Sequence, residues 1–313
     1  MLRYALQRIV MTIPVMAVVA VFVFGLLFVT PGDPAVVIAG EQASPEEVQA
    51  IRVAMGFDQP FYVQFGLWAQ RLLSGDLGTS VFSREPVAEL IAQRVGPTLS
   101  LLFGGLIIAL LLSVPFGIYA AANRGKLFDR AFTAVTVLNF SIPNFIVGYL
   151  LVSIFALGLR WLPVQGYVPP DRDFGAYLLG MILPCLTLGM GFASLIARVT
   201  RASMLDVLSQ DFIRTAKAKG ADRNRILFAH ALKNASIPIV TIVGLGFASL
   251  IGGAVITESI FAIPGLGRLT LEAISHRDYP VIQGLVLVFS AGYVLVNLAV
   301  DLIYVLLDPR IRY

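Results

Sequence analysis

An all-α integral membrane protein with six transmembrane helices is the fold class this sequence predicts, and three observations predict it. Of its 313 residues, 58% are hydrophobic and 13% charged, against about 45–50% and about 25% in soluble domains. Six stretches approach or exceed the roughly 20 apolar residues that cross a bilayer. Between them, loops rich in Lys and Arg alternate with loops poor in them, which is the signature of a defined orientation.

The six runs fall at residues 9–29, 98–121, 131–157, 176–199, 235–260 and 281–307. The first has a longer apolar region than the 7–15 residues of a secretory signal, so it reads as an uncleaved anchor. Prolines 115, 143, 184 and 238 interrupt four of the others, and neighbouring helices can satisfy the backbone groups so freed. Two small-residue pairs four apart, Gly189/Ala193 and Ala248/Gly252, predict close helix packing. Cys185, the single cysteine, reads as a buried apolar thiol.

Basic residues sit in three places besides Arg3 and Arg8 at the start. Arg124, Lys126 and Arg130 follow the second run, and Arg310 and Arg312 close the chain. Segment 198–233 carries Arg198, Arg201, Arg214, Lys217, Lys219, Arg223, Arg225 and Lys233. The alternate loops hold only Arg160 with Arg172 and Arg268 with Arg277, while eight acidic residues offset the four arginines of 31–97. Both termini and the 198–233 segment are therefore expected in the cytoplasm. The net charge of +4 reflects these loops and does not argue for nucleic acid. Three parts result: tail and first span (1–30), an outer segment (31–97), and a core (98–313) that includes the inner loop 198–234.

The outer segment is too long to be featureless. Ser44-Pro45-Glu46-Glu47 predicts a helix start with a capping box, and Val48, Ile51 and Met55 continue its stripe to Gly56. A second helix fits 60–74, with Phe61, Phe65, Trp68 and Leu72 on one side. A third, 86–95, is expected to end at Gly96-Pro97. These helices are expected to lie on the outer face of the membrane, as a docking surface or as a plain lid. In the last outer loop, Pro264-Gly265 and Gly267 predict a turn, and 269–274 a helical turn directed toward the pore.

Segment 198–233 predicts a knob in which two short amphipathic helices meet at Gly220. Asp211 is expected to cap the first, with Phe212, Ile213 and Ala216 on one face. Gly220 suits a left-handed C-cap. Asp222 is expected to cap the second, whose apolar face is Ile226, Leu227 and Ala231. Such a basic knob between two spans is a place where another protein can push.

Catalytic and metal-binding patterns are absent from the sequence. There is no G-x-x-x-x-G-K-[ST], H-E-x-x-H or G-x-S-x-G, so ATP binding or hydrolysis by this chain is not expected. His276 has no second ligand at metal spacing. Asp301 is expensive at its depth, roughly 2.5 kcal/mol or more at a helix centre. It is expected to pair with Arg310, Arg312 or a partner chain rather than relay protons. Glu258, at the outer end of the fifth run, either faces a pathway or caps a packing contact. The most polar intramembrane run is Asn139-Phe140-Ser141-Ile142-Pro143-Asn144, either a pathway lining or a kink sealed by packing. Asn139, Ser141, Asn144 and Glu258 are the pathway candidates.

The chain resembles the inner-membrane permease subunits of ABC importers, in the dipeptide, oligopeptide and nickel branch and of the dipeptide permease B type. The residues that carry the likeness run from end to end. They include Thr30-Pro-Gly-Asp-Pro34, Gly75-Asp-Leu-Gly-Thr-Ser80, Trp161-Leu-Pro163 with Gly166, and Phe212-Ile-Arg-Thr-Ala-Lys-Ala-Lys-Gly220. They continue through His230-Ala-Leu-Lys-Asn234, Pro264-Gly-Leu-Gly267, Arg277-Asp-Tyr-Pro280 and Asp308-Pro-Arg-Ile-Arg312. The resemblance implies a type I importer permease fold. It also implies that the family's E-A-A-x-x-x-G coupling motif falls on Arg214-Thr215-Ala216 and Gly220, with Lys217, Lys219, Ala221 and Asp222 in the same contact surface. Arg214 departs from the glutamate of that motif, and the terminal I-x-L-P element is replaced by Ser236-Ile237-Pro238 further along. By resemblance, the partners are a second homologous permease, two ATP-binding cassette ATPases that bind ATP and Mg, and a periplasmic solute-binding protein. No cofactor is expected on this chain. Peptides are the implied solutes, with nickel chelates, glutathione, opines and oligosaccharides carried by related permeases.

Two other classes fit less well. A secondary transporter calls for inverted repeats and buried coupling-ion ligands, which the sequence does not display. Helix–Gly–helix resembles a helix-turn-helix, but flanking spans pin it to the membrane surface.

Overall fold

The computed structural model describes residues 2–29, 35–36, 43–54, 56 and 58–307. Among them the regular structure is helical, apart from one isolated bridge between Thr79 and Pro86. Helix α1 is Leu2–Val29, α2 Pro45–Ala54, α3 Phe61–Leu73, α4 Val87–Ala122, α5 Leu127–Ser141 and α6 Asn144–Leu151, which continues as a π-helical turn, Val152–Gly158. Next come α7 Phe174–Leu208 and α8 Asp211–Ala218. A π-helical segment, Arg225–Ala231, then leads into α9 Leu232–Ile260; α10 Leu266–Ser275 and α11 Tyr279–Leu307 follow. Five helical stretches are long and apolar enough to cross a membrane, and the bent pair α5–α6 makes six.

The core is α4 laid along α7, with α9 crossing α7 and α11 packed on α9 and α1. Small residues bring the first two axes together. A Cβ at Gly189 would stand 2.6 Å from the carbonyl oxygen of Gly105, and one at Gly117 would meet Thr200 Cβ at 2.9 Å. This is the small-residue packing expected around Gly189/Ala193; Gly252, in contrast, faces open space. Leu101, Leu183, Leu188, Ile196 and Leu250 fill the centre and are all but fully buried. Cys185 is buried among them.

The spans are longer than the apolar runs, and that corrects several expected boundaries. Gly96-Pro97 does not end a helix: α4 runs unbroken for 36 residues, so the expected outer helix 86–95 is its first turns. Pro115, Pro184 and Pro238 also lie inside continuous helices, as membrane helices tolerate when neighbours supply partners. Only Pro143 breaks its span, where Ile142 is extended and α5 and α6 meet at 102°. Helix α7 carries Arg198 and Arg201 within its last three turns.

At one end of the bundle the capping box forms as expected. The Glu47 carboxylate accepts from the Ser44 amide (2.8 Å) and hydroxyl (3.1 Å), while the Glu47 amide donates to Ser44 Oγ (3.3 Å). Those bonds hold the Glu47 carboxyl below its ordinary pKa. The aromatic side of α3 packs on α1: Phe24 meets Phe61, Phe65 and Trp68 at centroid distances of 5.3–5.6 Å. Met55 and the motifs at 30–34 and 308–312 lie outside the described residues.

Candidate coupling knob and pathway break

The knob forms, in a different shape from the one expected. Helix α8 is a single two-turn helix, and its first residue is Asp211 itself. Gln210 is the N-cap, with no side-chain capping bond. Asp211 instead pairs with Arg214 at 3.3 Å, both fully in solvent. Past α8, the chain turns at Gly220, whose φ is +79°. The Ala221 amide donates to Ala216 O (3.1 Å) and the Gly220 amide to Lys217 O (2.9 Å), the paired bonds of a Schellman cap. Asp222 then caps as expected, its carboxylate accepting from the amides of Asn224 (3.1 Å) and Arg225 (3.2 Å). What it caps is not a second short helix. Helical structure runs without interruption from Arg225 to Ile260, first π and then α.

The apolar side of the knob explains why it stands where it does. Ile213, Ile226, Leu227 and Ala231 are buried against Ile118, Met204 and Val207 at the ends of α4 and α7. Phe212, expected on this face, is 39% exposed instead. Burying Ile213, Ile226 and Leu227 contributes on the order of 1.5–3 kcal/mol each, which favours holding the turn against the bundle. Arg223 adds a bond to the Asn123 side chain (3.2 Å), so the two basic loops meet. Outward from this base, Arg214, Thr215, Lys217, Lys219, Gly220 and Asp222 are exposed, and Ala216 and Ala221 are half-buried. The candidate residues thus form one contiguous, mainly basic surface.

The pathway candidates divide. Asn139 sits at the break and its Nδ2 donates to Met190 O and Ser194 Oγ, both at 2.6 Å. Asn144, just beyond it, lies so close to Gly191 that a Cβ there would collide with its side-chain amide. Ser141 is exposed, its hydroxyl returned to Val137 O (2.9 Å). A cavity of about 380 Å³ opens beside the break between α4, α5 and α7, lined by Phe116, Phe132, Met190, Asn139 and Ser194 among others.

Glu258 does not join them. It is fully buried and does the second of the two jobs considered for it: its carboxylate accepts from Thr98 Oγ1 (2.6 Å) and the Arg268 amide (2.9 Å). Thr98 Oγ1 in turn accepts from the Leu266 amide (2.8 Å). A buried carboxylate is thereby held at the N-terminus of α10, where unpaired amides and the helix dipole favour it. The motif Pro264-Gly-Leu-Gly267 follows from this contact, since a Cβ at Gly265 would strike the Glu258 carboxyl and one at Gly267 would stand 2.6 Å from Val255 Cα.

Several polar contacts were not visible in the sequence. Asp129 and Arg201 form a bidentate pair between α5 and α7. Asp278, 3% exposed, accepts from Ser80 Oγ (2.5 Å) and from the amides of Val81 (3.2 Å) and Phe82 (3.3 Å). It ties the Gly75–Ser80 motif to the Arg277–Pro280 motif, and Phe82 stacks on His276 at 3.7 Å. Asp301 pairs with Arg8 of α1 at 3.1 Å, whereas Arg310 and Arg312, the partners expected for it, lie outside the described residues. In each case one partner is an ordinary loop or helix-end residue, and only the fold reveals the other.

Comparison with known proteins follows the same outline. Residues 113–313 match the family model described as binding-protein-dependent transport system inner membrane component, and residues 1–102 match its N-terminal companion. The chain is 49% identical over 310 residues to the probable peptide ABC transporter permease protein y4tP of Sinorhizobium fredii, covering 99% of both chains. It is 45% identical to the glutathione transport system permease protein GsiC of Salmonella typhimurium and 42% identical to GsiC of Escherichia coli, end to end in each case. Among solved structures, a chain of the inward-facing MetNI methionine ABC transporter superposes with a TM-score of 0.58 at 18% identity, covering 70% of this chain and 96% of that one.

Proposed function

The chain belongs to the inner-membrane components of binding-protein-dependent transport systems, and on that premise we propose how it works as the permease subunit of an ABC importer for short peptides. The observation that carries the reading is the Schellman-capped, solvent-exposed knob at Gly220, rooted in the ends of α4 and α7 and continuous with α9. Its basic face, Arg214 to Asp222, seats in a groove of a separate ATPase that binds ATP and Mg; this chain contributes no catalytic group. Closure of two ATPases brings two such knobs together, one from this chain and one from a second permease. The helices rooted in them rock as rigid bodies and alternate access around the break at Pro143. Both termini and the knob face the cytoplasm, and the opposite end receives a solute-binding protein. Peptides, glutathione among them, are the solutes because relatives that align end to end are named for those two cargoes.

Gly220→Pro tests it. Proline cannot adopt a φ of +79° and removes the amide that bonds Lys217 O. In the reconstituted importer the expected result is loss of ATPase co-purification together with a fall in ATP-driven peptide uptake on the order of tenfold or more. Wild-type association and wild-type uptake would overturn the assignment.

A further inference from the structure

Arg198, half-buried near the end of α7, is held by a backbone carbonyl and an aromatic ring rather than by a counter-charge. The Asp129–Arg201 and Arg8–Asp301 pairs are closed, and Glu258 is satisfied by Thr98 and two residues of α10. Among the described residues, Arg198 has no carboxylate at ion-pair distance. Its side chain leans toward the N-terminus of α7, as helical side chains do, and here that is the deeper direction. Counting roughly 20 residues from the apolar start of α7 near 176 puts its Cα at the edge of the hydrocarbon. An arginine there ordinarily extends outward to water. Arg198 folds inward instead: its Nε donates to Ser194 O, one turn deeper (3.3 Å), and its guanidinium lies 4.5 Å over the ring of Phe140.

That places a cation at the break between α5 and α6. Phe140 is 58% exposed, so the stacked pair opens to one side and is not sealed in the core. Ser194 Oγ and Asn139 Nδ2 are bonded to each other beside it, and both residues line the 380 Å³ cavity. Asn139 commits both amide hydrogens to the protein, which leaves its Oδ1 as an acceptor for a passing N–H. A guanidinium fork is matched to a carboxylate; the cavity beside it is lined by Asn139 and Ser194 but not by Arg198 or Phe140.

We propose that Arg198 is the transient seat of the solute's carboxylate during translocation, stacked on Phe140 and set beside Asn139, and so a specificity-determining residue of the pathway. The proposal rests on the importer reading and adds the chemical group that the membrane subunit itself recognises. The aromatic partner keeps the guanidinium oriented without neutralising it, so the seat holds an anion without a permanent counter-ion to displace.

The test separates this proposal from the importer reading by using a readout that needs no transport. On a Cys185→Ala background, Ser141→Cys places a thiol one residue from Phe140 in the assembled complex. Its modification by the anionic sulfonatoethyl methanethiosulfonate is compared with that by the cationic trimethylammonium analogue. With Arg198 present the anionic reagent is expected to gain over the cationic one by on the order of tenfold; Arg198→Gln removes the gain and Arg198→Lys keeps most of it. A thiol unreactive to both reagents, or a ratio indifferent to Arg198→Gln, overturns the proposal. Native mass spectrometry distinguishes the other anion source: an anionic phospholipid bound to wild type and lost in Arg198→Gln would make a lipid phosphate the occupant and overturn it too. In proteoliposomes with ATPases and solute-binding protein, Arg198→Gln is expected to lower uptake of a free-acid tripeptide about tenfold, with about half of the loss restored by Arg198→Lys, while ATPase association is unchanged. Absence of ATP-driven uptake in wild type would instead count against the importer reading.

Discussion

Arg201 grips Asp129 with two parallel bonds, Nε to Oδ1 at 2.5 Å and Nη2 to Oδ2 at 2.9 Å, across 72 residues of sequence. The Gly125 amide also donates to the same carboxylate, at 2.9 Å. One buried side chain therefore joins the loop after α4, the start of α5 and the end of α7.

Removing one partner should be worse than removing both. Asp129→Asn leaves Arg201 without its counter-charge in a site where the arginine side chain is 28% exposed, and breaking such a pair costs about 3–5 kcal/mol. Thermal unfolding of the detergent-solubilised chain should show that loss in Asp129→Asn and a smaller one in the double variant Asp129→Leu/Arg201→Met. A double-variant loss equal to the sum of the Asp129→Leu and Arg201→Met losses measured singly would mean that the pair is not coupled.

Thr98 is predicted to be the hinge pin of the outer turn. It donates to Glu258 and accepts from Leu266, so Thr98→Val leaves two buried groups short of a partner at about 1–3 kcal/mol each. Thr98→Ser keeps the hydroxyl and should lie within about 1 kcal/mol of wild type. Denaturation of the two variants measured side by side checks it, and a valine variant as stable as the serine one would refute the role.

Asp278 should control the loop that it binds. With Asp278→Ala the hydroxyl of Ser80 and the amides of Val81 and Phe82 lose their acceptor, and the stack of Phe82 on His276 loses its anchor. Limited proteolysis is expected to cut between residues 76 and 86 at least several-fold faster, following the opening free energy of about 1–3 kcal/mol per lost buried bond. An unchanged cleavage rate would show that the loop is held by other means.

Much of this molecule can be read from the chain because lipid imposes a simple rule, that about 20 apolar residues make a span. All six runs became helices, and the knob's apolar residues Ile213, Ile226, Leu227 and Ala231 were visible in their spacing. Helix ends were less legible. The punctuation residues that stop a soluble helix do not stop a membrane helix whose neighbours satisfy it, as Pro97, Pro115, Pro184 and Pro238 illustrate. Pro143 differs in that the residue before it, Ile142, is extended, and Asn139 beside the break is bonded to α7. Glu258 was ambiguous for one reason. A charged side chain near a span end reads the same whether it is enclosed or open, and only the packing around it decides.

Continuous helix from Arg225 to Ile260 has a mechanical consequence. At 1.5 Å per residue it is a push-rod about 54 Å long, with no loop to absorb slack. At one end it emerges from the Gly220 cap; at the other it holds Glu258, which grips the turn ahead of α10. Were the first end displaced, the displacement would be carried toward the second, where the turn before α10 sits.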